Sequence, residues 1–186
     1  TTAMNVEFAS RAKSSTAACH ALAHKVLAKP AFPAALRFQV ASACCHTRLL
    51  YAAGSWDEFP PESKRLLAAA QMRPLRLVAG ARWRGDSAEV LSQAAVRSMV
   101  GAPTPEVEIR VSRLRYAARV SSSGPAALRG LLQSRAGLPW RRCLQSDCAR
   151  LKEVLPQRLA SLPCPWTSPS QWEELWTRFP GPWRAL

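Results

Sequence analysis

The sequence predicts an all-α protein, an irregular bundle of about seven or eight helices. Three observations lead there. Apolar residues recur at helical spacing along most of the chain, as in Trp172, Leu175, Trp176 and Phe179. The 15 prolines stand mostly at the edges of apolar stretches, where they punctuate helices. No stretch carries a convincing strand alternation, and no segment repeats.

The first helix is alanine-rich and runs from about Asn5 to Leu27, ended by Lys29-Pro30. Pro33 suits a first helical turn and opens a second helix to Ala53, with Gly54 in the closing position. A third starts near Pro61-Glu62, and Pro74 inside it is expected to kink or split it. Gly80 and Gly85 bracket a basic loop, Ala81-Arg82-Trp83-Arg84. Asp86 with Glu89 reads as a capping box for a fourth helix to about Met99, which Gly101-Ala102-Pro103 breaks. Thr104 then caps a fifth, with Pro105 at its first position and apolar residues on two faces. Ser121-Ser122-Ser123-Gly124-Pro125 is a clear break and the best candidate boundary. A short helix to Gln133 follows, then a seventh marked by Trp140, Leu144, Leu151 and Leu155. Ser170 and Glu173 cap the last, whose aromatic stripe must dock on something.

Composition narrows the partner. The formal net charge is +14, mostly from arginine, whose planar fork of donors suits phosphate oxygens. A polyanion, DNA or RNA, is the leading partner class. No apolar run is long enough to span a bilayer. The opening Thr1-Thr2-Ala3 sits in what reads as a running helix without a secretory pattern, so a fragment of a longer intracellular protein, nuclear or cytoplasmic, is expected. Six scattered cysteines in apolar helical stretches fit a reducing compartment.

The candidate chemistries are thin. Phosphoryl-transfer enzymes commonly hold two metal ions on neighbouring carboxylates. Asp57, Asp86 and Asp147 are far apart in sequence, and Glu173-Glu174 reads as a solvated helix face. No catalytic residue, metal site or cofactor is therefore expected. Cys19-His20 with His24, and Cys143 with Cys148, invite zinc, but neither set supplies tetrahedral ligands at the right spacing. No glycine loop suits a phosphate cradle. What remains is a basic-aromatic set. Arg73, Arg76, Arg82 and Arg84 crowd one helix end and loop, and Trp83 is placed to stack on a base or to anchor the core. Arg110 and Arg113, with Arg115, Arg119, Arg141 and Arg142, extend the positive field. The competing reading is a structural or protein-interaction subunit with a basic surface, anchored through the Trp172 stripe.

The stretch Arg48-Leu49-Leu50-Tyr51-Ala52-Ala53-Gly54-Ser55-Trp56, followed by an acidic-proline turn, Leu66-Leu67 and an arginine-bearing segment to Gly80, resembles the region just after the palm in reverse transcriptases of non-LTR, LINE-like retrotransposons, especially dinoflagellate-type copies. Arg113-Leu114-Arg115-Tyr116-Ala117-Ala118-Arg119 with Gly124-Pro125 is similar to a later stretch of the same proteins, and Trp140, Asp147, Leu151, Trp172 and Pro182-Trp183-Arg184 continue the likeness. The resemblance implies a thumb-like helical bundle over 1–101 and a helical connector over 102–186 with an aromatic C-terminal helix. It implies a grip on an RNA or RNA-DNA duplex through phosphates, loosely on Arg73, Arg76, Arg82 and Arg84, and a palm and fingers domain elsewhere in the parent protein. The chain departs from the family at Pro74 and lacks the Tyr-x-Asp-Asp box, so no polymerase residue carries over.

Overall fold

A computed structural model describes residues 2–57, 60–80 and 91–154 of the chain. Among them all regular structure is helical and no strand occurs: α1 (Thr2–Leu22), α2 (Ala34–Ala41), α3 (Thr47–Leu49), α4 (Pro61–Val78), α5 (Gln93–Val100), α6 (Pro105–Ser123), α7 (Ala126–Gln133) and α8 (Leu138–Val154). The protein is all-α. The helix predicted over 170–179 lies outside the described residues.

The described residues form two units, one of 2–51 with 60–80 and 91–105, the other of 52–57 with 106–154. The division expected at 101/102 is one contiguous cut, whereas these units interleave. The segment that carries Trp56 belongs with the later helices. The Ser121–Pro125 break lies inside the second unit and only separates α6 from α7.

In the first unit α1 and α4 pack together. Phe8, Ala12, Ser15 and Cys19 recur at helical spacing on α1 and are buried. Ala18, Cys19, Leu27, Ala41, Cys45 and Val78 form one core cluster, and Met72, Leu75, Val96 and Ala102 another. Two helical stretches depart from the α pitch. Residues Ala23–Leu27 and Ser42–His46 are π-helical, which adds a residue to the turn and splits the expected second helix into α2, a π turn and α3. Nothing in the apolar spacing announced these insertions.

Pro74 does not break α4. The helix runs from Pro61 to Val78 with the proline ring fully buried. The missing N–H removes one helical bond, and packing of a face that also buries Leu67, Leu75 and Val78 holds the helix through it. Ser92 rather than Asp86 caps α5, accepting from the Ala95 N–H at 3.1 Å. Asp86 and Glu89 lie outside the described residues. Gly101 takes a left-handed φ of 65° and closes α5, with Ala102 N–H donating to Arg97 O at 3.0 Å and Gly101 N–H to Ser98 O at 3.3 Å.

In the second unit α6 buries Ile109, Leu114, Ala117 and Val120, α8 buries Trp140, Leu144 and Leu151, and the two helices meet through the Arg113–Asp147 pair and the Tyr116–Trp140 edge contact. The segment 52–57 meets α6 at Gly54. A Cβ there would stand 2.5 Å from Ser112 O and 2.6 Å from Tyr116 Cβ. Gly54 is needed for close approach, therefore, and not to close a helix. The left-handed residue is Ala52, at φ 55°.

Candidate nucleic-acid interface

On α4 burial sorts the side chains by face. Ser63, Leu67, Ala70, Gln71, Pro74, Leu75 and Val78 turn inward. Arg65, Leu66, Ala69 and Arg73 remain exposed and Arg76 half-exposed, with Glu62 confined to the first turn. The outward face thus carries Arg65, Arg73 and Arg76 over about 16 Å of helix, at 1.5 Å per residue. None of the three makes an ion pair among the described residues. Arg73 Nη1 lies 3.3 Å from His20 Nε2 of α1, which fixes the guanidinium without neutralising it. Arg65 was missed in the sequence although its spacing from Ala69 and Arg73 is a plain helical repeat.

The other predicted contacts divide. Arg82, Trp83 and Arg84 lie outside the described residues. Arg113 is corrected: it is 5 % exposed, and its Nη1 binds Asp147 Oδ2 at 2.5 Å while its Nε donates to Trp56 O at 3.1 Å. That geometry makes it a core residue of the second unit, closed to a phosphate. Arg110 is about a third exposed and leans on the same carboxylate, Nε to Oδ1 at 3.7 Å. Burial pushes the Asp147 carboxyl up from its ordinary value, and Arg113 and Arg110 oppose that. Arg141 is spent on the end of α7, where it donates to Leu132 O and, at 2.8 Å, to Ser134 O. Arg115, Arg119 and Arg142 are exposed.

The sulfur and imidazole groups do not gather into a ligand set. Among the described residues no three His, Cys, Asp or Glu side chains come together as metal ligands would. Cys19 is buried while His20, next in sequence, is exposed toward Arg73. A hydrogen bond from the Cys45 thiol holds Cys19 below the ordinary thiol value, with help from Arg73 and against the effect of burial. The same contact and burial push Cys45 up. No described helix is long and apolar enough to cross a membrane.

Comparison of the chain with protein-family models, curated proteins and solved structures finds no match.

Proposed function

We propose that this chain is a non-catalytic grip for an RNA or RNA-DNA duplex, equivalent to the thumb and connector of a reverse transcriptase-like protein whose palm and fingers supply the chemistry. The observation that carries the proposal is the outward face of α4. Three guanidinium groups share it, no carboxylate follows Glu62, and none of the three is drawn into an ion pair among the described residues. A rigid helix that presents cations at turn spacing meets backbone phosphates and reads little sequence.

Fluorescence anisotropy of the full chain with a blunt RNA-DNA duplex tests this. Affinity should fall steeply with salt, with a log–log slope of about −0.9 for each phosphate neutralised. Replacing Arg65, Arg73 and Arg76 together by glutamine should weaken binding and flatten the slope by about 2–3. Salt-insensitive binding, or a triple variant that binds as the parent does, would sink the reading.

The second reading, a protein-interaction subunit, draws on α7. That helix buries no residue, and Leu131 near its end is 56 % exposed, with Leu138, the first residue of α8, 37 % exposed. Concentration-dependent association abolished by Leu131→Ser, together with no duplex binding, would favour it.

A further inference from the structure

A groove of about 350 Å³ opens between α1 and α3, away from any residue the sequence singled out for binding. Such a volume is at the small end of ligand pockets, about 300–1,000 Å³. α1 lines it with Glu7, Ser10, Arg11 and Ser14, one helical face at spacings of three and four residues. The other wall is Arg48 and Tyr51, one turn apart along the chain, beside Thr47.

The groove has three chemical parts. Tyr51 is a flat apolar surface held out in solvent, 70 % exposed. It is braced from one side: the Arg11 guanidinium sits 5.9 Å from the ring centroid and also donates to the Tyr51 carbonyl. Arg11 is itself fixed by Glu7 at 2.7 Å, so that acid and that base cancel. The charge left over is Arg48, which is exposed and makes no ion pair or hydrogen bond among the described residues. Ser10 and Ser14 expose two hydroxyls one turn apart on the facing helix, whereas Thr47 turns its own to Ser42 O at 3.0 Å.

A braced ring, a spare guanidinium and free hydroxyls match one ligand class: a planar aromatic group that carries an anion. We propose that this groove holds one unpaired nucleotide of a single-stranded nucleic acid, its base stacked on Tyr51 and its phosphate met by Arg48 and the Ser10 and Ser14 hydroxyls. The proposal rests on the reading that the partner is nucleic acid, and it adds a single-strand site to the duplex-gripping face of α4. Stacking on an aromatic platform tolerates any base, so sequence preference should be slight.

The test uses the full chain and two labelled probes, an oligouridine of roughly twelve nucleotides, within the span such sites cover, and the blunt RNA-DNA duplex. Tyr51→Ala should weaken oligouridine binding by about fivefold or more, the loss expected for one stacked base, and leave the duplex affinity unchanged. Tyr51→Phe should keep both. Tyr51→Ala retains the main-chain carbonyl that Arg11 binds, and an unchanged circular dichroism spectrum shows that the fold is kept. Photocrosslinking with 5-iodouridine in the probe should place an adduct on Tyr51. If Tyr51→Ala binds oligouridine as the parent does, or loses both probes equally, or the adduct forms elsewhere, the groove is not the site. If the unmodified chain binds neither probe at low salt, the nucleic-acid reading itself falls.

Discussion

Asp147 shows how one carboxylate decides the role of two arginines. It is 4 % exposed, and it faces Arg113, which is as deeply buried, and the partly exposed Arg110. Removing one partner of such a pair strands a charge in the core and typically costs about 3–5 kcal/mol. Asp147→Ala should therefore lower the urea midpoint strongly, and Arg113→Met made with Asp147→Leu should recover much of it. His46 makes the opposite case, a buried group that stays neutral. It is 3 % exposed, no side chain hydrogen-bonds either ring nitrogen, and it meets Phe38 near edge-on with ring centroids 6.3 Å apart. Burial pushes its pKa down to about 4, with Arg97 adding to the effect and the Gln71 main chain opposing it. Above pH 6.5 folded and unfolded states are both neutral at this position. Below it the unfolded chain takes up a proton that the folded chain refuses, so stability falls as pH drops from 6.5 toward 4 and levels off beneath. The loss is roughly 3 kcal/mol for a shift of this size. Unfolding free energies from urea titrations at pH 7.5 and 4.5 should differ by about 2.5 kcal/mol more in the parent than in His46→Leu. An equal pH dependence in both would show that other groups set it.

Helix ends are where local chemistry speaks most directly. Gly101 takes a left-handed φ of 65° with open space around its Cβ position, so Gly101→Ala meets only the backbone penalty, about 1 kcal/mol. Gly54 has an ordinary backbone but no room, so Gly54→Ala must push α6 away and should cost more, in the range of about 1–3 kcal/mol for an overpacked core. Thermal melts of the two variants rank them, and a larger loss at Gly101 would contradict the packing argument. The same contrast explains what could be read from the sequence. Pro61 at a first turn, Gly101 past a last one and the Gly124-Pro125 break are local signals, and the helices begin or end beside them. Pro74 also carried a strong local signal, yet tertiary packing overrode it. The π turns at 23–27 and 42–46 and the left-handed Ala52 follow from how distant segments meet, which helical periodicity does not encode. At the candidate site, Arg73 and Arg76 were readable because basic residues cluster there. Arg113 was misread because its counter-charge, Asp147, lies 34 residues further on.

At the scale of the whole molecule the chain does not divide by a single cut. Residues 52–57 precede α4 in sequence but complete the core built by α6 and α8. Trp56 O accepts from Arg113 Nε at 3.1 Å, and Gly54 O accepts from the Trp140 indole at 2.8 Å. Trp56 itself is 7 % exposed, and Tyr116 and Trp140 meet edge to face at 6.0 Å beside this segment. A fragment that begins at residue 102, where the family resemblance implies a boundary, keeps α6, α7 and α8 but loses both acceptors and the Trp56 side chain. Two buried donors then lack partners, at about 1–3 kcal/mol each, and a cavity of tryptophan size opens, worth about 3–5 kcal/mol. Those losses approach the whole stability of a small domain, about 5–15 kcal/mol. The 102–186 fragment should therefore show helical circular dichroism without a cooperative urea transition, and a synthetic peptide spanning 52–57 should restore cooperativity when added in excess. A fragment that unfolds cooperatively without the peptide would mean that α6–α8 close their core unaided and that the segment around Trp56 only decorates it.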